Sequence, residues 1–374
     1  MGMVNNREII FDSTKMENIG GPKKRALPRY YFPLIIAIVV AEAVALGFIL
    51  FYNFPTHAFE VHSYSQYAPY IGASDVTQLS VTITKWFFFL LTAGVLIPTT
   101  ILIILEITRR VMNARRGESN AWDEEFALLN KLDKAPKLPA DLKERAQGEY
   151  IKRFDVHQRT QHYVLMGSFI ILAVTGLLRG YPDWPTFQWF TSIFGGTEVL
   201  RLVHDVAAFI MIADGIYHLG YIGYGYFILH KSPSAIFPRW KDLKDMIHTV
   251  LWITGFYKSE PDYDHFQYGQ KIDYWAIFWG MPVMAITGII MMFPVFFSQW
   301  IDGQWFAVVA AAHRDEAILA VGFILIVHMY YGHLQTNAFP VNTVMFTGKM
   351  LKSKYRQWFG REYAQITGEK EQEK

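Results

Sequence analysis

Cysteine is absent from all 374 residues. A disulfide framework, a Cys-ligated zinc, an iron-sulfur cluster and a covalently attached c-type haem are therefore excluded from this chain. Any redox chemistry has to rest on its 12 histidines. Charge is scarce as well: Asp, Glu, Lys and Arg make up 18% of the sequence, against roughly 25% in soluble domains. The net charge of +2 gives no support to nucleic-acid binding, which calls for a clustered basic face. What the sequence has instead is apolar and aromatic content, 52% and 16%, arranged in runs of about twenty residues that argue for a membrane protein.

Six runs are candidates to cross roughly 30 Å of hydrocarbon: Phe32 to Tyr52, Trp86 to Ile107, His162 to Leu178, Leu202 to Leu229, Tyr274 to Phe297 and Phe306 to Tyr331. The third is short on apolar residues alone and is expected to begin a turn earlier. Pro98 and Pro282 fall inside spans, where neighbouring helices can satisfy the freed carbonyls. The first run does not read as a cleavable signal peptide, because a long polar tail precedes it and no small-residue cleavage site follows. Segments 1–32, 109–159, 230–271 and 337–374 carry 6, 12, 6 and 7 Lys or Arg, which is 31 of the 35. The other four, Lys85, Arg179, Arg201 and Arg314, lie at helix ends on the opposite side. The positive-inside rule then puts both termini in the cytoplasm of a bacterial cell, with the chain in its inner membrane. The expected organisation is all-α: a cytoplasmic tail (1–31), a two-helix module (32–108), a solvated cytoplasmic linker (109–152), a four-helix domain (153–340) and a second cytoplasmic tail (341–374).

The four-helix domain looks internally duplicated. "HYVLMGSFIILAVTGLL" (162–178) resembles "YWAIFWGMPVMAITGII" (274–290), with Thr-Gly at the same offset. Each unit is followed by a helix with two histidines, His204 and His218 after the first, His313 and His328 after the second. Spacings of 14 and 15 residues put both imidazoles near one helix face, ~21 to 22 Å apart along the axis. Facing histidines at two depths are what two stacked haems need for bis-imidazole ligation. A lone intramembrane histidine is explained by a hydrogen bond to a carbonyl, but four in matched register point to function. The haems would lie roughly 20 Å apart centre to centre, close enough at their edges for tunnelling.

"RFDVHQRTQHYVLMGSFIILAVTGL" (153–177), "YGQKIDYW" (268–275) and "VHMYYGH" (327–333) resemble segments of the di-haem cytochrome b subunits of membrane-bound formate dehydrogenases. "IADGIYHLGY" (212–221) and "HRDEAILAVGFILIVH" (313–328) are closer to a sub-branch that accompanies multi-haem c-type cytochromes. The resemblance spans about 150 to 340 and leaves the N-terminal two helices without a counterpart. It implies two haems b, with His204 and His313 as ligands of the outer one and His162 and His328 of the inner one. The duplication instead pairs His218 with His328, so three imidazoles compete for two inner positions, and a third haem is the remaining alternative. His57, His62, His157 and His333 read as surface or propionate-proximal groups.

Haem propionates need cations near the membrane edges. Arg179 and Arg201 suit the outer level, Arg153 and Arg159 the inner one, although each is equally explained as an interfacial anchor. Gly167, Gly176, Gly215, Gly288 and Gly322 recur within the spans, where small residues admit either a flat macrocycle or a neighbouring helix. The family's quinone pocket, for menaquinone or ubiquinone, lies by the inner haem at the loop opening the third core helix. Gln267, Gly269 and Gln270 stand at the matching positions, with Gln267 where the family has Asn. Asp214 and Glu42 are the acids deepest in the spans; Asp214, one turn before His218, either relays quinone protons or orients that histidine. The expected function is electron transfer between a quinone pool and an extracytoplasmic partner. That partner is a multi-haem c-type cytochrome or the iron-sulfur and molybdopterin subunits of an oxidoreductase complex. The rivals are a proton-coupled secondary transporter, which would leave the matched histidines without a shared purpose, and a haem-free membrane anchor of a soluble enzyme.

Overall fold

In the computed structural model, which describes residues 31–52, 75–116, 150–230, 233–257, 260–261, 263–335, 342–352, 355, 358, 359, 362 and 363, long helices dominate. They are α1 (Tyr31–Tyr52), α2 (Asp75–Arg116), α3 (Val156–Gly180), α5 (Thr197–Phe227), α7 (Tyr268–Met292) and α9 (Gln304–Phe323). Shorter helices connect them: α4 (Pro185–Ile193), α6 (Trp240–Ile253), α8 (Pro294–Phe297) and α10 (Val344–Thr347). Two strands, β1 (Tyr150–Lys152) and β2 (Lys349–Leu351), pair antiparallel with Ile151 opposite Met350. Residues 117–149 of the expected linker, the tail before residue 31, His57 and His62 lie outside the described residues, while residues 109–116 of that linker continue α2 instead.

Four stretches among the described residues are long and apolar enough to cross a membrane: Leu79–Met112, Val156–Gly180, Tyr268–Met292 and Gln304–Leu334. Helix α5 has 31 residues but includes Asp205, Asp214 and two histidines. The shorter apolar stretch in α1 is Ile36–Gly47.

Local chemistry sets where the histidine-bearing helices begin. Asp155 caps α3: its carboxylate accepts from the Gln158 N–H at 2.9 Å, and Gln158 Oε1 accepts from the Asp155 N–H at 3.0 Å. The helix thus starts at Val156 and carries His162 in its second turn, more than the single turn of extension expected. Helix α9 does not stop at Phe323. It continues through two π-helical turns, Ile324–His328 and Tyr330–Leu334. Such turns are rare and concentrate at functional sites. Residues five apart lie on opposing sides of an α-helix, yet the rings of His328 and His333 are 6.3 Å apart.

The two N-terminal helices pack on the core. Phe88, Thr92, Leu96, Thr100, Ile103, Glu106 and Arg110 are all buried and recur every three or four residues, one stripe of α2. The stripe lies against α9: Leu96 and Ile103 pack with Leu46 of α1 and with Phe323, Ile326, Val327 and Tyr330. The opposite face of α2 exposes Ile83, Phe87, Leu90, Ile97 and Ile101, as a lipid-facing surface should.

This interface ends in a buried polar node. Arg110 binds Glu106 at 2.8 Å and Glu260 at 3.2 Å, Gln335 Nε2 donates to Glu106 at 3.0 Å, and the guanidinium sits 5.1 Å from the Trp252 ring centroid. Removing one member of a buried pair leaves an uncompensated charge. Arg110→Ala is therefore expected to cost about 3–5 kcal/mol, seen as a lower melting temperature of the detergent-purified chain. Removing both charges, as in Arg110→Met with Glu106→Leu, should recover most of the loss. A single variant that melts with the parent would show the pair to be idle.

The segment beyond residue 341, expected as a tail, is packed where it is described. Tyr355, Phe359 and Tyr363 recur every four residues and are buried with Tyr263, Val344 and Met350, a helical stripe that the charge count obscured. Gly348 turns the chain at φ +74°, where a Cβ would stand 2.5 Å from the Phe154 carbonyl oxygen. Its own carbonyl accepts from the Arg153 and Phe154 N–H groups at 2.8 and 3.1 Å. Glu362 completes the contact, held by His265 and Tyr355. Burial pushes its carboxyl up, but those two hydrogen bonds together with the charges of His265 and Arg153 outweigh burial and leave it below the usual glutamate range.

Candidate functional site

Histidines from three helices meet in two pairs. At the level expected outermost, α5 supplies His204 and α9 supplies His313, with ring centroids 6.4 Å apart and planes crossed at 63°. An iron between two imidazoles requires two metal–nitrogen bonds of roughly 2 Å plus the two half-rings behind them, a separation of roughly 6 Å. The rings are thus spaced for ligation. Thr175 Oγ1 lies 2.9 Å from His204 Nδ1, and Thr287 Oγ1 lies 2.9 Å from His313 Nδ1. Glycine follows each threonine. A Cβ on Gly176 would stand 3.3 Å from His204 Cε1, and one on Gly288 would stand 3.2 Å from His313 Cε1. Both positions therefore keep the imidazoles from being crowded. Arg179, at the end of α3, is within electrostatic reach of both rings. Arg201 is exposed and paired with Glu198 at 2.9 Å.

At the other level His162 of α3 faces His328 of α9, centroids 6.3 Å apart and planes at 37°. His328 Nδ1 is 3.2 Å from Asp273 Oδ2, a carboxylate placed to orient a ligand ring. His162 Nδ1 is buried without a hydrogen-bond partner among the described residues. The duplication would set His218 opposite His328, but the structure places His218 elsewhere. Its Nδ1 is 2.8 Å from Gln161 Oε1 and its Nε2 is 3.0 Å from the Tyr274 hydroxyl. An amide oxygen accepts from one nitrogen and a phenol donates to the other, so both nitrogens are engaged. Asp214 makes no hydrogen bond to His218; Gln161 and Tyr274 do that work instead.

The remaining expected residues divide by placement. Arg153 is buried against the C-terminal segment: it donates to the His265 carbonyl, lies 3.6 Å from Glu362 and stacks 4.2 Å from the Phe359 ring centroid. Its guanidinium faces that cluster rather than the histidine pair, because burial of Tyr355 and Phe359 draws it there. Arg159 donates to the Phe346 carbonyl at 2.7 Å. Gln267, Gly269 and Gln270 open α7, where Gln270 Oε1 accepts from the Gln267 N–H at 3.2 Å. The next residue, Lys271, is buried and binds both Asp242 oxygens at 2.8 Å. His157 meets the Tyr217 hydroxyl at 2.7 Å. Glu42 is half-buried on α1, on a helix that supplies neither pair.

Sequence reasoning missed Thr175, Thr287 and Asp273. The signals were present: the Thr-Gly repeat was read as a mark of duplication only, and Asp273 stood inside a quoted motif without a role. The donor set fits b-type haem, with two imidazole pairs at ligation distance, no thiolate, and glycines that leave room for the outer rings. The family described as prokaryotic cytochrome b561 matches residues 153–348, just over half the chain. The cytochrome b556 subunit of the nitrate-inducible formate dehydrogenase of Escherichia coli (strain K12) is 25% identical over 188 residues, 50% of this chain and 78% of the relative. A formate dehydrogenase cytochrome b556 subunit of Haemophilus influenzae is 27% identical over 172 residues, 46% of this chain and 66% of the relative.

Proposed function

Because the chain belongs to the prokaryotic cytochrome b561 family, we propose that it carries electrons through two b-type haems between a membrane quinone and an extracytoplasmic redox partner. The observation that supports this most is the pair of histidine couples, 6.4 and 6.3 Å between ring centroids, brought together in one bundle. We assign His204 and His313 to the outer haem and His162 and His328 to the inner one. Haem supplies a one-electron couple at each level when bound. The chain's own residues hold the four imidazoles, keep the sites apolar, and in Asp273 offer a carboxylate to the Nδ1–H of His328. Arg179 stands as the propionate partner of the outer level.

In this reading the six long helices all cross the bacterial inner membrane with both termini cytoplasmic. Gln267, Gly269 and Gln270 form the edge of the quinone site at the opening of α7. Asp273, three residues past Gln270, reaches His328, so a carrier docked there lies within a turn of the inner centre. The relatives named as formate dehydrogenase subunits favour a complex with iron-sulfur and molybdopterin subunits. A multi-haem c-type cytochrome serves the same role in the alternative assembly.

The test is the visible spectrum of the purified full-length chain. A reduced-minus-oxidised b-type signal at about two haems per chain is the expected result. Haem-free protein would overturn the reading in favour of an anchor or a transporter.

A further inference from the structure

The His204–His313 level differs from the His162–His328 level in how its rings are held. Both Nδ1 atoms of the first meet a threonine hydroxyl, and each hydroxyl also donates. Thr175 Oγ1 lies 2.7 Å from the Ile171 carbonyl oxygen, and Thr287 Oγ1 lies 2.6 Å from that of Val283. A hydroxyl has one proton. With that proton on the helix carbonyl, its oxygen can only accept from the imidazole. Both rings are thereby held as Nδ1–H tautomers, His313 with the Met284 carbonyl as an additional acceptor, and the Nε2 lone pair is left free for the metal. A hydroxyl that is itself donating is a stronger acceptor, which polarises the N–H and makes Nε2 a better donor to a metal.

We propose that Thr175 and Thr287 are matched positioning residues that set the tautomer, ring orientation and donor strength of both outer axial histidines. The proposal rests on the assignment of His204 and His313 as ligands. It adds that the outer centre is tuned from α3 and α7, two helices that give it no ligand. The Thr-Gly dipeptide works as a unit in each half: threonine holds the ring on one atom, and the following glycine leaves the space the ring occupies. The inner level has no such symmetry, since His328 meets a carboxylate and His162 Nδ1 has no partner among the described residues.

The experiment uses the full chain in detergent, carrying Thr175→Val, Thr287→Val, both together, and the Thr→Ser counterparts. Haem content, redox titration and electron paramagnetic resonance of the ferric state are the readouts. Valine removes the hydroxyl acceptor at constant shape, so the ferric outer haem loses stabilisation and its midpoint should rise in each single variant and further in the double. The rise should be larger in Thr175→Val than in Thr287→Val, where the Met284 carbonyl still accepts from His313. A tenfold loss of ferric preference would read as about 59 mV. The ferric signal of that haem should shift as its ring planes relax, and serine should restore both properties. Loss of the outer haem in valine variants but not in serine ones supports the same conclusion. Unchanged midpoint and ferric signal in the valine variants, with both haems retained, would overturn it. So would loss of the haem in valine and serine variants alike, which marks a packing role. If the parent chain lacks haem, or His204→Ala leaves the outer centre intact, the ligand assignment itself has failed, and that result is read before any threonine variant.

Discussion

His162→Ala is expected to halve the haem content of the purified chain, and His218→Ala to leave it unchanged. Both residues lie at the same depth, and spacing alone could not separate them. The hydrogen bonds do. His162 stands 6.3 Å from His328 between ring centroids, whereas His218 has one nitrogen on Gln161 and the other on Tyr274. Ligation through its Nε2 would strip the Tyr274 phenol of its partner, at about 1–3 kcal/mol when buried. His218→Ala incurs a cost of that kind in stability and keeps the metal. Haem quantitation of the two variants side by side decides between them. Retention in His162→Ala with loss in His218→Ala would reverse the assignment and restore the pairing drawn from the duplication.

His204→Ala and His313→Ala should each abolish electron delivery to an external acceptor, and both should lose the same spectral component. The two rings face one another across 6.4 Å, so on the proposed assignment one iron answers to both, and the double variant should be no worse than either single one. Quinol should still reduce the remaining haem, because the inner pair shares no ligand with the outer one. Quinol-dependent reduction in membranes, followed at the b-type bands, separates the two steps. Two different missing components from the two single variants would break the pairing.

Much of this arrangement could be read from the residues, for identifiable reasons. Long apolar helices announce themselves by composition, and His204, His313 and His328 by a repeat that survives in Thr-Gly and in spacing, whereas His162 has no counterpart in the second unit. The N-terminal helices were legible as spans, yet their partner was not, since the stripe from Phe88 to Arg110 mixes Thr, Glu and Arg with apolar residues and blends into an apolar background. The π-helical turns at Ile324–His328 and Tyr330–Leu334 escape any count based on 3.6 residues per turn, so His333 was not expected beside His328. Periodicity shows a direction but not what the ring meets there, so the Gln161 and Tyr274 partners of His218 were not legible. Arg153 was over-read for a similar reason: nearness to the expected membrane edge says nothing of the aromatic cluster that claims its guanidinium.

The packing of α2 along α9 has a bearing on traffic. Helix α9 and its π-helical continuation carry one histidine of each pair, and one flank is occupied by a helix of the same chain. A lipid-soluble carrier or a neighbouring subunit, as proposed above, would therefore have no direct route to the histidine pairs across that flank. Either would approach past α3, α5 or α7, whose outward residues such as Ile170, Phe209 and Ile286 are exposed. The added N-terminal pair thus makes the bundle one-sided, leaving the faces of α3, α5 and α7 as the open ones.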